Sequence, residues 1–306
     1  MNPPRNIAAS VRQRLLNLAR QQREEFQAIL TRYARERLLY RLSQSQYSNT
    51  FILKGATVFS VWSNEPHRAT QDLDLLGYGD ATVPHLEQVF RDICRVQVES
   101  DGLEFKADTV GGEQIKEDQE YQGVRIKLTA ILGAAQIPMQ IDIGFGDAIT
   151  PAPVMVEFPT LLDFPVPRLR AYPQETVVAE KFQAMVMLGI ANSRMKDFYD
   201  IWFLSQQFKF EGEALSLAIK ATFSRRRTSL PTLTPLALTP EFSEDKNKQK
   251  QWNAFIRKGK LRASTQSLSE VVVILQDFLM PPTLAVANNE PFLKIWPLSG
   301  SWTAGH

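Results

Sequence analysis

Two periods of hydrophobic and polar positions run along this chain. From about Ser10 to Ser43 there is no proline or glycine, and Val11, Leu15, Leu18, Phe26, Ile29, Tyr33 and Leu38 recur near helical spacing, which predicts two amphipathic helices. The pattern then shortens. Phe51–Leu53 predicts a short strand, Thr57–Trp62 a helix, residues 63–67 a loop and Asp72–Leu76 a second strand, so the fold opens as strand–helix–strand. Leu86–Val96 predicts another helix. Val124–Ala130 and Met139–Phe145 each alternate apolar with polar around the turn residues 133–136, which predicts two paired strands.

Prolines punctuate 151–173, and that stretch reads as a connection. Beyond it, Glu175–Leu188 and Phe198–Phe208 predict helices separated by a loop near Gly189 and Asn192. Thr228–Phe242, with Pro231, Pro235 and Pro240, predicts a loop; Lys246–Arg257 and Leu268–Leu279 predict later helices. The expected organisation is amino-terminal helices over 1–50, an α/β (α+β) core with a mixed sheet over 51–165, and a mostly helical region over 166–306. The tryptophans of the tail, Trp296 and Trp302, are expected to pack on the body, because exposed indoles are costly. Tyr199, Trp202 and Phe203 read as core packing rather than as a base-stacking surface.

Composition narrows the classes. The 306 residues are 44% hydrophobic with a formal net charge of +2, which fits a globular chain with a sizeable core and no overall bias toward nucleic acid. That average conceals an arginine-rich start: Arg5, Arg12, Arg14, Arg20, Arg23, Arg32, Arg35, Arg37 and Arg41 stand against Glu24, Glu25 and Glu36. Such a run reads either as a face for RNA or an acidic partner, or as solvated helix charge. Together with Lys246, Lys248, Lys250, Arg257, Lys258 and Lys260, these arginines could position an RNA backbone. Cys94, the single cysteine, excludes an internal disulfide and fits a reducing compartment, with buried packing as its default role. With no signal-like apolar core at the start and no stretch near the roughly 20 apolar residues of a membrane helix, a soluble, cytoplasmic protein without a membrane segment is expected. His67, His85 and His306 are the three histidines, and none has triad or metal-ligand spacing. The phosphate-loop and dinucleotide glycine fingerprints are absent too.

What remains is a carboxylate site. In an extended strand, residues two apart share a face, so Asp72 and Asp74 point together while Leu73 and Leu75 point to the core. Gly55 is expected where a strand turns into a helix, a place where backbone N–H groups and the helix dipole receive phosphate oxygens. Asp142, opposite Ile141 and Ile143 on its strand, is a third acidic candidate. Three carboxylates from neighbouring strands would hold two magnesium ions about 3.5–4 Å apart, one at the attacking and one at the leaving oxygens. Packed without a counterion they would repel one another, which is the argument for metal over a structural trio.

At these residues the chain resembles the AbiEii/AbiGii toxin family, which includes the MenT toxins, within the DNA polymerase β-like nucleotidyltransferases. The similarity lies in Leu53-Lys-Gly-Ala-Thr57, in Arg68-Ala-Thr-Gln-Asp-Leu-Asp74, in Glu180-Lys181 and in Lys196-Asp-Phe-Tyr-Asp200. Ala56 departs from the family, which usually has Gly or Ser there, so a hydroxyl contact to phosphate would come from Thr57 or be absent. The resemblance implies that Lys54, Gly55, Ala56 and Thr57 meet the nucleotide and that Asp72 and Asp74 bind metal. It further implies that Lys181 neutralises the triphosphate and that Asp200 completes the site. Arg68 would contact phosphate or pair with an aspartate; Asp197 reads as a helix-start residue and Lys196 as its solvated neighbour.

The expected activity is magnesium-dependent transfer of NMP from an NTP to an acceptor hydroxyl, with release of pyrophosphate. The resemblance extends this to the toxin of a toxin–antitoxin or phage-defence system, with the tRNA 3′ end or another RNA as acceptor and a cognate antitoxin as partner. Two alternatives stand beside it: the same site modifying a protein or small molecule, and a nucleotide-binding module that acts through a partner without transfer.

Overall fold

The first predicted helix forms as α1, Ile7–Gln22, because Val11, Leu15 and Ala19 repeat every fourth residue and bury one stripe. Asn6 closes its start by accepting the Ala9 N–H at 3.0 Å. The second forms as α2, Phe26–Gln44, and is buried on more than one side, including at Arg35, Glu36, Arg37 and Arg41. This computed structural model describes residues 6–63, 68, 72–116, 122–259, 261, 266–298 and 300–305. The expected loop beyond Ser63, motif positions 69–71, and Arg5, His67, Lys260 and His306 lie outside the described residues.

Strand β1, Phe51–Lys54, is followed by a 3-10 turn, Gly55–Val58, and by the short helix α3, Phe59–Trp62. Next come β2, Leu73–Gly77; α4, Val83–Arg95; β3, Leu103–Lys116; β4, Gln122–Leu132; β5, Ala135–Phe145; β6, Val154–Glu157; and β7, Arg168–Ala171. They make one mixed seven-stranded sheet in the order β3-β4-β5-β2-β1-β7-β6. β2 runs parallel to β5 and antiparallel to β1. One sheet face carries Leu53, Leu73, Leu75, Val124, Ile126, Ile141 and Ile143, which share a continuous core with Leu15, Ile29, Leu38, Leu86 and Phe90 of the helices. The alternation that buries these residues turns Asp74 and Asp142 to the other face.

Three strands of this sheet were not legible as strands. β3 is interrupted by a register shift between Lys106 and Gly111, and its paired glycines and charges break the alternation. β6 and β7 lie inside the proline-dotted stretch expected to be a connection.

The chain divides into two units, one containing the residues up to Gly146 with Val154–Ala171, the other Asp147–Pro153 with the residues from Tyr172 on. In the second unit, α5 (Gln174–Leu188), α6 (Met195–Gln207), a short β8 (Phe210–Glu211), α7 (Gly212–Arg225), α8 (Pro240–Ser243), α9 (Lys246–Gly259) and α10 (Leu268–Ala287) precede β9 (Lys294–Trp296) and β10 (Thr303–Ala304). Helix α7 was not expected, and α10 runs past Leu279 through Pro281 and Pro282. Correcting the sequence expectation, α10 is long and apolar enough to cross a membrane by length and composition. It nonetheless buries Val271, Leu275, Phe278 and Leu279 within its own unit. Trp296 is buried and donates its indole N–H to the Ser205 carbonyl at 2.7 Å. Cys94 is likewise buried, its thiol pushed up to about 12 by desolvation.

Candidate active site

The polar face of the sheet is organised by register. Glu113 of β3 lies opposite Arg125 of β4, Arg125 opposite Asp142 of β5, Asp142 beside Asp74 of β2, and Asp74 opposite Lys54 of β1. Direct partners on neighbouring strands hold their side chains on one face about 5 Å apart, so this row sets charges of both signs against each other. Asp72 sits one position before β2, two residues from Asp74, and takes the Gln140 side-chain amide N–H at 2.9 Å. That hydrogen bond fixes the direction in which the Asp72 carboxylate faces.

Arg125 holds Asp142 with two parallel bonds, Nε to Oδ1 and Nη2 to Oδ2, both 2.8 Å. The fork matches carboxylate geometry. Buried Arg35 of α2 also stands within electrostatic reach: burial pulls its pKa down to about 10, while Asp74 and then Asp72 hold it up. Lys54 is buried too, at 7% exposure. Arg35, Lys54 and Arg125 are therefore the counterions that the sequence argument lacked, and mutual repulsion among Asp72, Asp74 and Asp142 is no longer a reason to invoke metal. Among the described residues, no group of three His, Cys, Asp or Glu side chains could hold a metal ion. Asp142, expected as a third ligand, has both oxygens in the Arg125 fork.

The glycine turn meets this row. Gly55 has φ +70°, and a Cβ placed on it would lie 2.0 Å from Asp74 Oδ2. Glycine is required there twice over, by the backbone angle and by the carboxylate packed against it. The expected strand-to-helix turn is a 3-10 turn followed by the four-residue α3, too short for a strong dipole. Ala56 and Thr57 are buried, and the Thr57 hydroxyl donates to the Asp72 carbonyl at 3.4 Å. Arg68 is half-buried.

In the second unit, Lys181 of α5 donates from Nζ to Asp197 Oδ1 at 2.8 Å and lies 2.9 Å from Asp200 Oδ2. Both aspartates are fully buried on α6, three residues apart and therefore on one helix face. Arg194 supports Asp197 from its own helix start, Nε to Oδ2 at 2.7 Å. Lys181 and Asp200 are thus brought together, and Asp197, in the first turn of α6 as expected of a helix-start residue, is in addition a second buried partner of the lysine. The Lys-Asp-x-x-Asp spacing carried that signal. A further network, unforeseen from sequence, joins Arg226 to Asp147 at 3.1 Å, to the Gln183 side-chain oxygen at 3.0 Å and to Glu180 at 3.6 Å, with the Tyr172 hydroxyl donating to Glu180.

The expected basic faces are reduced. Arg41 forks onto Asp101, Arg37 pairs with Glu36 and donates to the Pro165 carbonyl, and all three cations of the stretch Arg35, Arg37 and Arg41 are buried. Lys248 is buried as well and donates to the Asn192 carbonyl. Exposed on α9 are Lys246, Lys250, Arg257 and Lys258, on a helix that contains no Asp or Glu.

Residues 37–272 match the family described as nucleotidyl transferase AbiEii toxin, type IV TA system. Two solved Helicobacter pylori structures are similar to this chain. JHP933 is 14% identical over 83% of this chain and 90% of its own, with a TM-score of 0.46. A second protein, provisionally described as a nucleotidyltransferase, is 13% identical over 83% of this chain and 93% of its own, with a TM-score of 0.45. No curated protein matched the chain.

Proposed function

The chain belongs to the AbiEii nucleotidyl transferase toxin family, and from that premise we propose a magnesium-dependent enzyme that moves NMP from an NTP to the 3′ hydroxyl of an RNA, in particular the tRNA 3′ end. The family's place in type IV systems implies a cognate antitoxin, and the reaction is assigned to the cytoplasm. One observation carries the site: Gly55 packs its bare Cα against the carboxylate of Asp74, so the turn expected to receive phosphate and the carboxylate expected to receive the cation are in contact.

Oxygen donors on one strand face, with Asp72 oriented by Gln140, fit a hard divalent ion, and Asp72 and Asp74 would hold it. When bound, magnesium would neutralise triphosphate charge and polarise the phosphoryl oxygens. Lys54, Gly55, Ala56, Thr57 and Arg68 are assigned to the nucleotide. Lys181 is assigned to the triphosphate, with Asp197 and Asp200 fixing its ammonium group. RNA as acceptor draws support from α9, where Lys246, Lys250 and Arg257 fall on one acid-free stripe that suits a phosphate backbone.

Purified protein incubated with magnesium, each α-labelled NTP in turn, and total cellular RNA and protein tests the reading, with Asp74→Asn as control. Label on tRNA-sized RNA, lost in the control, is the expected result. Label on protein would move the acceptor. No label in either fraction would overturn the transfer reading.

A further inference from the structure

One surface of the second unit combines exposed apolar side chains with cations. Helix α5 closes in a 3-10 turn, Gly189–Ala191, and Met187, Leu188 and Ile190 around it are all exposed, Met187 at 62%. This turn packs on a second 3-10 turn, Leu236–Leu238, and Leu233, three residues before that one, is 81% exposed. Four large apolar side chains left exposed on neighbouring turns mark a binding surface rather than scattered exposure. The turn is firmly held. Asn192 is fully buried, its side-chain oxygen takes the Arg194 N–H at 2.8 Å, and its carbonyl takes Lys248 Nζ at 2.9 Å. Gln183 of α5, one helical turn before Met187, donates to the Thr228 hydroxyl at 2.8 Å and ties the segment after α7 to the same helix. Residues 181–196, 225–240 and 246–259, which build this surface, contain no Asp or Glu. Each segment supplies an exposed cation: Lys196, Arg227 and Lys246. The acids between the last two segments are Glu241, Glu244 and Asp245, and Asp245 is committed to the start of α9 through the Asn247 and Lys248 N–H groups.

We propose that this surface docks the open end of an RNA helix, the terminal base pair stacking on Met187, Leu188, Ile190 and Leu233 while the adjoining phosphates meet Arg227, Lys196 and Lys246. The proposal rests on the reading of RNA as acceptor and adds to it a place and a mode of binding. The end of an RNA helix is an apolar disc bordered by phosphates, and an apolar patch with a cation from every segment that builds it is its complement. Leu188 lies seven residues after Lys181, on the same face of α5 and about 10 Å along its axis. A strand end seated on Leu188 is therefore held near the lysine assigned to the triphosphate, which suits transfer to a terminal hydroxyl.

The test is fluorescence anisotropy with two RNAs of the same stem, a hairpin with one blunt end and a dumbbell closed at both ends. Wild type is expected to bind the hairpin about tenfold more tightly, the scale of one base stacked on a side chain. Met187→Ser with Leu233→Ser should bind the two RNAs alike, with thermal unfolding unchanged because both positions are exposed. Leu233→Ser alone should lose part of the preference. Arg227→Gln with Lys246→Gln should weaken binding of both RNAs and reduce the slope of log affinity against log salt by about 2. Equal binding of hairpin and dumbbell by wild type would overturn the proposal, and so would a preference retained in Met187→Ser with Leu233→Ser. Failure of both RNAs to bind, with binding of an acidic amphipathic peptide instead, would overturn it too and reassign the surface to a protein. Transfer of labelled NMP separates the two levels of argument: transfer to RNA without an end preference keeps the acceptor reading and removes the docking site, and an end preference without transfer to RNA does the reverse.

Discussion

Gly55 and Asp74 occupy positions that exclude a single methyl group, since a Cβ on Gly55 would fall 2.0 Å from Asp74 Oδ2 and 2.6 Å from its Cγ. Gly55→Ala must therefore displace the carboxylate, the turn, or both, and it also places alanine at φ +70°. Misplacement of a reacting group by about 1 Å costs on the order of 100-fold in rate, and a backbone angle of this kind costs about 1–3 kcal/mol. Transfer of labelled NMP is expected to fall about 100-fold in Gly55→Ala, with a modest drop in unfolding temperature. Activity within a few-fold of wild type would show that the contact does not position Asp74.

Gly55, Asp72 and Asp74 were readable from sequence because they lie within about 20 residues of one another, where strand alternation and a glycine turn act locally. Arg35, Gln140 and Arg125 were not, because each reaches the carboxylates through strand order or through a helix packed on the sheet. Asp142 was found by its strand pattern, but its partner sits across the β4–β5 register, which no local spacing reveals. Helix α7 was legible and missed: Leu215, Ala218, Ile219, Thr222 and Phe223 follow the helical period and are buried. The arginine-rich start misled for the opposite reason. Charge counted along a sequence does not distinguish a solvated face from ion pairs that close inside a core, as Arg41 with Asp101 and Arg37 with Glu36 do.

Lys181 is the cation shared by two fully buried carboxylates, so its removal is a stability experiment. Breaking a buried pair by deleting one partner leaves uncompensated charge and costs about 3–5 kcal/mol. Lys181→Met is expected to lose stability of that order in urea unfolding, and Asp200→Asn added to it should restore part of the loss. A variant as stable as wild type would mean that the carboxylates are satisfied without the lysine.

Glu36 supplies a pH dependence with a defined sign. Burial pushes its carboxyl from 4.5 up to about 7, against the opposing pull of Arg37 and of the Leu161 N–H, with Asp101 adding to the rise. The folded state therefore binds the Glu36 proton more tightly than the unfolded chain, so this contribution is complete below about 4.5 and is lost as pH climbs through 7. The loss is on the order of 3 kcal/mol between those limits. Urea midpoints measured from pH 5 to pH 8 should fall more steeply for wild type than for Glu36→Gln, which keeps an acceptor for Leu161 but does not titrate. Parallel curves for the two proteins would refute the assignment.

Pro282 explains why the carboxy-terminal Trp302 returns to helix α10. A proline has no N–H, so the carbonyl four residues earlier, on buried Phe278, loses its helical donor. The Trp302 indole N–H takes that place at 3.0 Å, and its ring lies parallel to Phe278 with centroids 5.9 Å apart. Trp302→Phe keeps an aromatic ring against Phe278 and removes only the donor, leaving a buried carbonyl unpaired at a cost of about 1–3 kcal/mol. If Pro282→Ala is then added, the helix regains its own N–H at that turn, and the second substitution should recover stability in Trp302→Phe that it does not confer on wild type. Equal effects of Pro282→Ala in both backgrounds, measured by thermal unfolding, would mean that the indole is held by ring packing alone and that the missing helical bond is not what brings it there.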